Sequence, residues 1–247
     1  MIPKGHPRYE SLKQREALVA GYEKGVTVLE GLIAHGRGEA FDYLLDEKTI
    51  PPAKKAILAS AALLCTAENP VVSVNGNTAV LCSSALVELA RESGAKLEVN
   101  LFYRSNKRVK LIEEILLEHG AKKVYGAAAS AEIEGLSSER RKVDKNGIYA
   151  SDVVLVPLED GDRTEALVRV GKKVIAIDLN PLSRTSRHAT ITIVDNIVRA
   201  IPALTQEVRK LKDKNLKELQ EIVMFDNHEN LKASLEIVNT KLKQLKL

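Results

Sequence analysis

The sequence predicts an α/β protein with a Rossmann-like, mostly parallel sheet, helices on both faces of that sheet, and helical additions at the N- and C-terminal ends. From Pro70 onward, short apolar segments alternate with amphipathic segments, which is typical of a parallel sheet covered by crossover helices. Before Pro70 and after Gln206, apolar residues recur at helical spacing instead. We expect a single domain over residues 1–247, with a helical N-terminal section at about 8–67, an α/β core at about 70–205 and C-terminal helices at about 206–247.

The N-terminal section has three stretches with helical spacing of apolar residues, SLKQREALVAGYEKG, TVLEGLIAHG and PAKKAILASAALLCTA. Between two helical segments lies Gly-Arg-Gly at residues 36–38, for which two interpretations stay open. It is either a turn in which Arg37 grips a phosphate, or a helix C-cap glycine followed by a surface arginine, and the second is favoured. We expect His35 to be a packed or exposed histidine rather than a catalytic base. Glu39 and Asp42 are expected to favour the N-terminus of the next helix.

The core has six segments that predict strands, in the order PVVSVNG, KLEVNLF, KKVYG, DVVLVPL, KKVIAID and ATITIV. Helical segments separate most of them: ALVELARESGA, NKRVKLIEEILLEHGA and DRTEALVRVG, with a further helix from about Asn196. The polar stretch SSERRKVDKNG carries no predicted element. Two charged amphipathic helices follow Gln206, and their charges are expected to form a solvated face.

Composition excludes several classes of protein. The chain has 37 Lys+Arg against 33 Asp+Glu, a formal charge of +4, which suits small anionic ligands and does not indicate a nucleic-acid surface. Cys65 and Cys82 lie in apolar surroundings without CxxC spacing, so we expect buried thiols in a reducing cytoplasm rather than metal ligands. The N-terminus lacks a signal-peptide core and no uncharged apolar run is long enough to span a membrane.

Polar residues follow five of the predicted strands, at residues 75–77, 100–104, 158–164, 178–186 and 195–196. The carboxyl ends of parallel strands meet at one edge of a sheet, where loops present side chains and backbone N–H groups to a crevice. Each cluster alone is also explained as turn chemistry, but five convergent clusters favour one shared polar pocket. We expect Arg184, with the hydroxyls and amides around it, to bind an anion there.

Nucleotide-binding fingerprints are absent from the sequence. GxxxxGK[ST] does not occur, and SVNGNTAV, at the end of the first strand, has one glycine where GxGxxG needs three. The missing glycines count against a dinucleotide-dependent oxidoreductase on a Rossmann-like core, which is the alternative enzyme class. A nucleic-acid or protein interaction module that uses the basic C-terminal helices is a further alternative, but aromatic content is 4% and lysines alternate there with acids.

Six blocks from about His6 to about Pro202 resemble archaeal phosphopantothenate synthetases, the 4-phosphopantoate:β-alanine ligases. They are HPRYESLKQRE, GLIAHGRGEAFDYLL, VSVNGN, EVNLFYR, SDVVLVPLEDGDRTEAL and VIAIDLNPLSRTS with ATITIVDN. The resemblance implies a homodimer that joins 4-phosphopantoate to β-alanine for archaeal coenzyme A biosynthesis, while ATP becomes AMP and pyrophosphate through an acyl-adenylate. Arginines and Mg²⁺ would stabilise the negative charge that builds at the α-phosphate. The helices after Gln206 carry no block of this resemblance.

The resemblance also implies site residues, each at a matching position of this sequence. The ATP contacts fall at Arg15, Arg37, Asp178, Leu179, Asn180, Arg184, Thr185, Asn196 and Ile197. By their chemistry the three arginines suit phosphates, while Asp178 or Asn180 suits ribose or adenine. The other strand-end groups are left for 4-phosphopantoate, β-alanine and Mg²⁺: Asn75, Asn77, Asn100, Tyr103, Arg104, Asp160, Asp162 and Arg163. Their division among these ligands, and the base that deprotonates β-alanine, stay open.

Overall fold

The structure, a computed structural model of the chain, describes residues 2–158 and 160–244. Its eight described strands are β1 (Val71–Val74), β2 (Lys96–Val99), β3 (Val124–Tyr125), β4 (Ala131–Glu132), β5 (Lys142–Val143), β6 (Val153–Pro157), β7 (Lys173–Ile177) and β8 (Ile191–Ile193). Six of them form one sheet in the order β3-β2-β1-β6-β7-β8, and every pair in it is parallel. β4 and β5 pair antiparallel in a separate small sheet.

Ten helices surround the sheets in the described part of the chain. They are α1 (Tyr9–Glu23), α2 (Leu29–Leu44), α3 (Pro51–Thr66), α4 (Gly76–Ser93), α5 (Asn106–Glu118), α6 (Gly161–Arg169), α7 (Arg184–His188), α8 (Ile197–Leu211), α9 (Leu216–Val223) and α10 (Asn227–Gln244). Short 3₁₀ turns occur at Glu139–Arg141 and Ile148–Ala150. The predicted α/β class is therefore confirmed, with a parallel sheet, helices on both of its faces and helical ends.

Three local predictions need correction. Residues 36–38 form neither a turn nor the end of a helix, because α2 runs without a break from Leu29 to Leu44. α4 begins at Gly76, well before the predicted segment at residue 85, because Asn75 and Thr78 form a reciprocal capping box directly after β1. The β4–β5 hairpin and the five-residue α7 were not predicted, since elements this short carry too few residues for a periodic signal.

The two faces of the sheet are covered differently, and alternate strand residues point to each. Val72 and Val74 of β1 join one apolar cluster with α3, α4, α5 and α8, whereas Val71 joins a second cluster with α6 and the segment that carries β4 and β5. A third cluster includes Leu179 and Val194, beyond the ends of β7 and β8, and joins them to apolar residues of α3 and α10. The N- and C-terminal helices thus meet at the carboxyl edge of the sheet.

The second face of β2 is polar, because it meets backbone rather than a helix. Glu98 accepts hydrogen bonds from the backbone N–H groups of Asp144 (2.9 Å) and Ile148 (2.6 Å). Two residues further along the same face, the Asn100 amide donates to the carbonyls of Arg140 (3.1 Å) and Lys142 (3.0 Å). Buried backbone groups of an irregular segment need partners, and β2 supplies them. The segment at residues 140–148 is therefore fastened to the sheet through its own peptide groups.

Glu98 predicts a pH dependence of stability. Burial raises its pKa to about 7, against 4.5 for the unperturbed group, although the two N–H donors act in the opposite direction. A carboxyl whose pKa is raised on folding contributes stability that is complete below its unfolded pKa and is lost as pH rises through the folded pKa. We expect the unfolding free energy of the wild type to fall between pH 5 and pH 8, relative to Glu98→Gln, by on the order of 2–3 kcal/mol.

Urea unfolding of both proteins at four pH values measures this difference, because groups common to both proteins cancel. The variant should be less stable than the wild type at pH 5, since one of its amide hydrogens faces a backbone N–H donor. Parallel stability curves for the two proteins would show that Glu98 does not titrate in this window.

Candidate functional site

A cavity of about 860 Å³ opens at the carboxyl edge of the sheet, where the strand order reverses. The chain leaves β1 through α4 toward β2 on one side, and leaves the adjacent strand β6 through α6 toward β7 on the other. Crossovers that diverge from neighbouring parallel strands leave a crevice between them, which is where open α/β sheets bind ligands. The N-termini of α4 and α6 both border this crevice and favour negative charge there.

Asn75 holds the floor of the cavity together. Its side-chain oxygen accepts the Thr78 N–H (3.0 Å) as the cap of α4. Its amide nitrogen donates to the carbonyls of Pro157 and Leu158, both at 3.1 Å, at the end of the neighbouring strand β6. Leu158 has a φ of 54°, which is uncommon for a residue other than glycine and costs on the order of 1–3 kcal/mol. The amide of Asn75 thus supports a strained turn at the centre of the site.

Helix α2 forms the wall opposite the sheet. Most of its cavity-lining residues share one helical face, and the full set is Glu30, Gly31, Ala34, His35, Arg37, Gly38, Ala40 and Phe41. The Asn77 amide donates to the Gly31 carbonyl (2.7 Å), which ties α2 to the first turn of α4. Burial lowers the pKa of His35, and the charge of Glu39 acts in the opposite direction. His35 thus lies in a half-buried position on the cavity wall.

Two buried carboxylates hold α2 in place from residues that do not line the cavity. Glu39 accepts three hydrogen bonds from the guanidinium of Arg15 of α1, at 3.1 Å, 3.0 Å and 2.5 Å, and one from the Tyr43 hydroxyl. Asp42 pairs with Arg199 of α8 at 2.5 Å. These positions correct the prediction that Glu39 and Asp42 begin a helix, because they lie in the second half of α2. Opposite charges from two other helices compensate the burial of each carboxylate.

The loop after β7 is organised by Asp178. Its carboxylate accepts the Ser183 hydroxyl (2.6 Å) and the Asn180 N–H (2.9 Å). Burial raises the pKa of Asp178, while these two donors and the charge of Arg37 lower it. The Asn180 side chain accepts the Leu182 N–H (2.9 Å) in a second turn of the same kind. The polar residues of this stretch thus shape one wall of the cavity before any ligand binds.

Arg184 begins α7 beside the start of α6. Its guanidinium contacts the carboxylates of Asp162 and Glu165, the latter at 3.0 Å, and all three side chains are at least one-third exposed. A Cβ on Gly161 would lie 2.3 Å from the Cβ of Arg184, so only glycine permits this approach of the two helices. The pairing holds Arg184 at the rim of the cavity.

The structure brings ten of the seventeen predicted site residues to this cavity. They are Arg37, Asn75, Asn77, Tyr103, Asp160, Asp178, Leu179, Asn180, Arg184 and Thr185. The other seven, Arg15, Asn100, Arg104, Asp162, Arg163, Asn196 and Ile197, do not line it. A ligand role for any of the seventeen stays a prediction.

Other contacts account for the positions of most residues outside the cavity. Arg15 is directed to Glu39, and the Asn196 amide donates to Asp42 (3.0 Å). Arg104 donates to the Gly126 carbonyl (2.6 Å), and Arg163 is fully buried with a bond to the Ser73 hydroxyl (3.1 Å). Backbone groups or buried side chains therefore hold several of these residues in place.

Two cavity-lining arginines, Arg108 and Arg140, were missed by the sequence interpretation. Arg108 lies in the first turn of α5, directly after a polar strand end, and that position was its only signal. Arg140 lies in the polar stretch to which no element was assigned, 40 residues from its contact Asn100. No periodic pattern indicates that such a segment folds back onto the sheet.

Carboxylates and histidines do not form a metal centre in the described ranges, since no group of three or more His, Cys, Asp or Glu could hold an ion. Among the same residues, no helix combines the length and apolar character that crossing a bilayer requires. The cavity lining offers guanidiniums, amides, hydroxyls and helix N-termini among apolar side chains such as Phe41 and Leu179.

Comparison with known proteins gives consistent matches over the whole chain. The family model for phosphopantothenate/pantothenate synthetase matches residues 52–241. A protein of Thermococcus onnurineus named 4-phosphopantoate–β-alanine ligase is 56% identical over 246 residues, which cover 99% of this chain and 94% of the relative. Relatives with the same name from Thermococcus kodakarensis and Methanosarcina mazei are 54% and 50% identical, again over 99% of the chain and over 94% and 96% of their own lengths.

Proposed function

The chain belongs to the phosphopantothenate/pantothenate synthetase family, and we propose that it joins 4-phosphopantoate to β-alanine, the activity for which its relatives are named. The observation that carries this proposal is similarity over 99% of the chain at 50–56% identity, since that span includes every loop that lines the cavity. The same similarity places the protein among ligases rather than dinucleotide-dependent oxidoreductases, the alternative enzyme class.

The proposed reaction requires activation of the acid. At neutral pH a carboxylate carbon is a poor electrophile. The alkylamine is protonated as well, since such amines have a pKa of about 10. With ATP as co-substrate, a carboxylate oxygen of the acid attacks the α-phosphorus and pyrophosphate leaves. The β-alanine nitrogen, after losing a proton, attacks the acyl carbon and AMP leaves. The site must therefore hold two phosphorylated anions and stabilise the charge that develops between them.

Several features of the cavity support this proposal. Four arginines line it, Arg37, Arg108, Arg140 and Arg184, and the helices α4 and α6 begin at its edge. Asp178 and Asn180, at the end of β7, suit ribose or adenine, while Arg37, whose charge acts on Asp178, and Arg184 suit the triphosphate. Arg15, Asn196 and Ile197 belong to the proposed nucleotide contacts although they lie beyond the cavity wall.

Mg²⁺ enters this scheme as part of the Mg–ATP substrate. The described residues form no cluster of three metal ligands, and Asp160 and Asp178, two of the acidic residues that line the cavity, already accept hydrogen bonds or ion pairs. Mg²⁺ keeps several waters and is commonly held by substrate phosphates with one or two carboxylates, so it needs no dedicated cage. We infer that ATP phosphates supply most of its ligands.

A homodimer is the second part of the proposal. α2 has several apolar residues, yet its buried residues in the described chain are the two acids Glu39 and Asp42. Leu29 and Ile33 are 55% and 65% exposed on the same helix, and Val19 and Tyr22 of α1 are also exposed. A partner subunit that covers this helix pair would remove their apolar surface from water.

The first test concerns the products of the reaction. We expect exchange of labelled pyrophosphate into ATP only when 4-phosphopantoate is present, and AMP as the product once β-alanine is added, because the adenylate forms before the amine reacts. Chromatography of the nucleotides measures both steps. Release of ADP would contradict the adenylate chemistry, and exchange without the acid would contradict the proposed substrate.

Arg184→Ala should impair ATP use without unfolding the protein. Its carboxylate partners are exposed, so stability should change by less than about 1 kcal/mol. The transition-state stabilisation calculated from kcat/KM for ATP should fall by on the order of 2–4 kcal/mol, because a charge-assisted contact to a phosphate is lost. Steady-state kinetics and thermal melting on the same preparation measure the two effects.

Arg187→Ala is the matched control, since Arg187 is an exposed arginine on the same short helix and does not line the cavity. Its kinetics should equal those of the wild type. Equal kinetics for Arg184→Ala and Arg187→Ala would remove Arg184 from the site.

Ile33→Glu should dissociate the proposed dimer, because a carboxylate would be buried without a partner in an apolar interface. Light scattering at micromolar concentration should give twice the chain mass for the wild type and the chain mass for the variant. Met224→Glu, at an 87% exposed position of another surface, should keep the wild-type mass. A monomeric wild type would overturn the homodimer.

A further inference from the structure

A second group of cations lines the cavity at the ends of β1 and β2, apart from the loop that carries Asp178 and Arg184. It consists of the guanidiniums of Arg108 and Arg140. The first turn of α4, the positive end of that helix dipole, lies beside them. Neither arginine is among the residues that the resemblance assigns to ATP. Both line the cavity.

Arg108 lies against the N-terminus of α4. Its guanidinium donates to the carbonyl of Val26 at 3.0 Å and 3.3 Å, and also to the carbonyl of Tyr103. A Cβ on Gly76, the first residue of α4, would lie 3.0 Å from the Arg108 Nη2 and 2.3 Å from the Val26 oxygen. Glycine at this position therefore allows the guanidinium to approach the backbone of the first turn.

Arg140 is held in a fixed position from three sides. Its Nε lies 2.7 Å from the carboxylate of Asp160, at the end of β6, and its Nη1 donates to the Asn100 carbonyl at 3.2 Å. The Asn100 amide in turn holds the Arg140 carbonyl at 3.1 Å. Arg140 is only 6% exposed, so the polar face of β2 places a guanidinium deep in the cavity wall.

The positive charges of Arg108 and Arg184 differ in the partners that surround them. Arg184 contacts two carboxylates, whereas Arg108 makes no ion pair with any carboxylate in the described ranges and donates to neutral carbonyls. Burial lowers the pKa of Arg108 and the charge of Arg140 lowers it further, against a smaller effect of Glu30. An anion bound between the two guanidiniums would offset this repulsion and would accept hydrogen bonds from the α4 N-terminus.

We propose that Arg108, Arg140 and the first turn of α4 form a phosphate subsite that receives the phosphomonoester group of the acid substrate. This inference rests on the proposed function. It separates the phosphate of the acid from the triphosphate of ATP, which lies with Arg37 and Arg184, and leaves the carboxylate of the acid to meet the α-phosphate between the two groups. Arg108 and Arg140 are then the residues that select the phosphorylated acid over the unphosphorylated one.

The main test compares two acids on each variant. The ratio of kcat/KM for 4-phosphopantoate to kcat/KM for pantoate is measured by pyrophosphate exchange with wild type, Arg108→Met, Arg140→Met and Arg184→Ala. Because both acids are measured on one preparation, loss of folded enzyme cancels in the ratio. We expect a fall of the ratio by at least about 100-fold in Arg108→Met and Arg140→Met, because the pocket no longer pairs the phosphate. Arg184→Ala should keep the wild-type ratio while exchange slows for both acids.

A ratio that is unchanged in both methionine variants would overturn the subsite. Should wild type show no exchange that depends on 4-phosphopantoate, the proposed function fails, and binding of inorganic phosphate then tests the subsite alone. Calorimetry in the presence of a saturating non-hydrolysable ATP analogue should show phosphate binding to wild type and Arg184→Ala but not to Arg108→Met or Arg140→Met. Equal phosphate binding by all four proteins would overturn the inference whatever the reaction is.

Discussion

The reversal of strand order between β1 and β6 is the constraint on which the site depends. Two neighbouring parallel strands send their crossover helices in opposite directions, so the sheet cannot close its carboxyl edge at this point. The amide of Asn75 bridges the gap by bonding to the carbonyls of Pro157 and Leu158. Above this bridge, the N-termini of α4 and α6 face a common space. A polar pocket for anions follows from this connection before any particular side chain is considered.

The walls of that space are fastened by polar contacts outside it. α2 is held over the cavity by Glu39 and Asp42, which pair with guanidiniums from α1 and α8. The segment at residues 140–148 is held against β2 by Glu98 and Asn100, which bind its backbone. Breaking either set would leave a buried charge or peptide group without a partner, so both walls are expected to be rigid. Rigid walls keep the guanidiniums of the cavity in fixed positions, and fixed charges are what the proposed stabilisation of developing charge requires.

Sequence patterns predicted the six strands of the main sheet because most of them are short runs rich in β-branched residues with turn residues beside them, as in Val71–Val74. They also predicted a polar pocket at the carboxyl edge, because parallel strands all end there. Local patterns could not place Arg140 or the β4–β5 hairpin, which depend on contacts with β2 some 40 residues away. Both interpretations of the Gly-Arg-Gly stretch, a turn that grips a phosphate and a helix C-cap glycine, expected a helix to end there, because glycine favours such positions. Tertiary pairing of Glu39 and Asp42 overrides that preference.

The central claim is that one cavity at the switch point holds two phosphorylated ligands in separate places. The most direct measurement is a crystal structure of the protein with a non-hydrolysable analogue of the acyl-adenylate that retains the phosphate of the acid. We expect the adenosine beside Asp178 and Asn180, and the phosphate of the acid within hydrogen-bonding distance of Arg108 and Arg140. An analogue bound outside the cavity, or with the phosphate of its acid on Arg184, would contradict this division of the site.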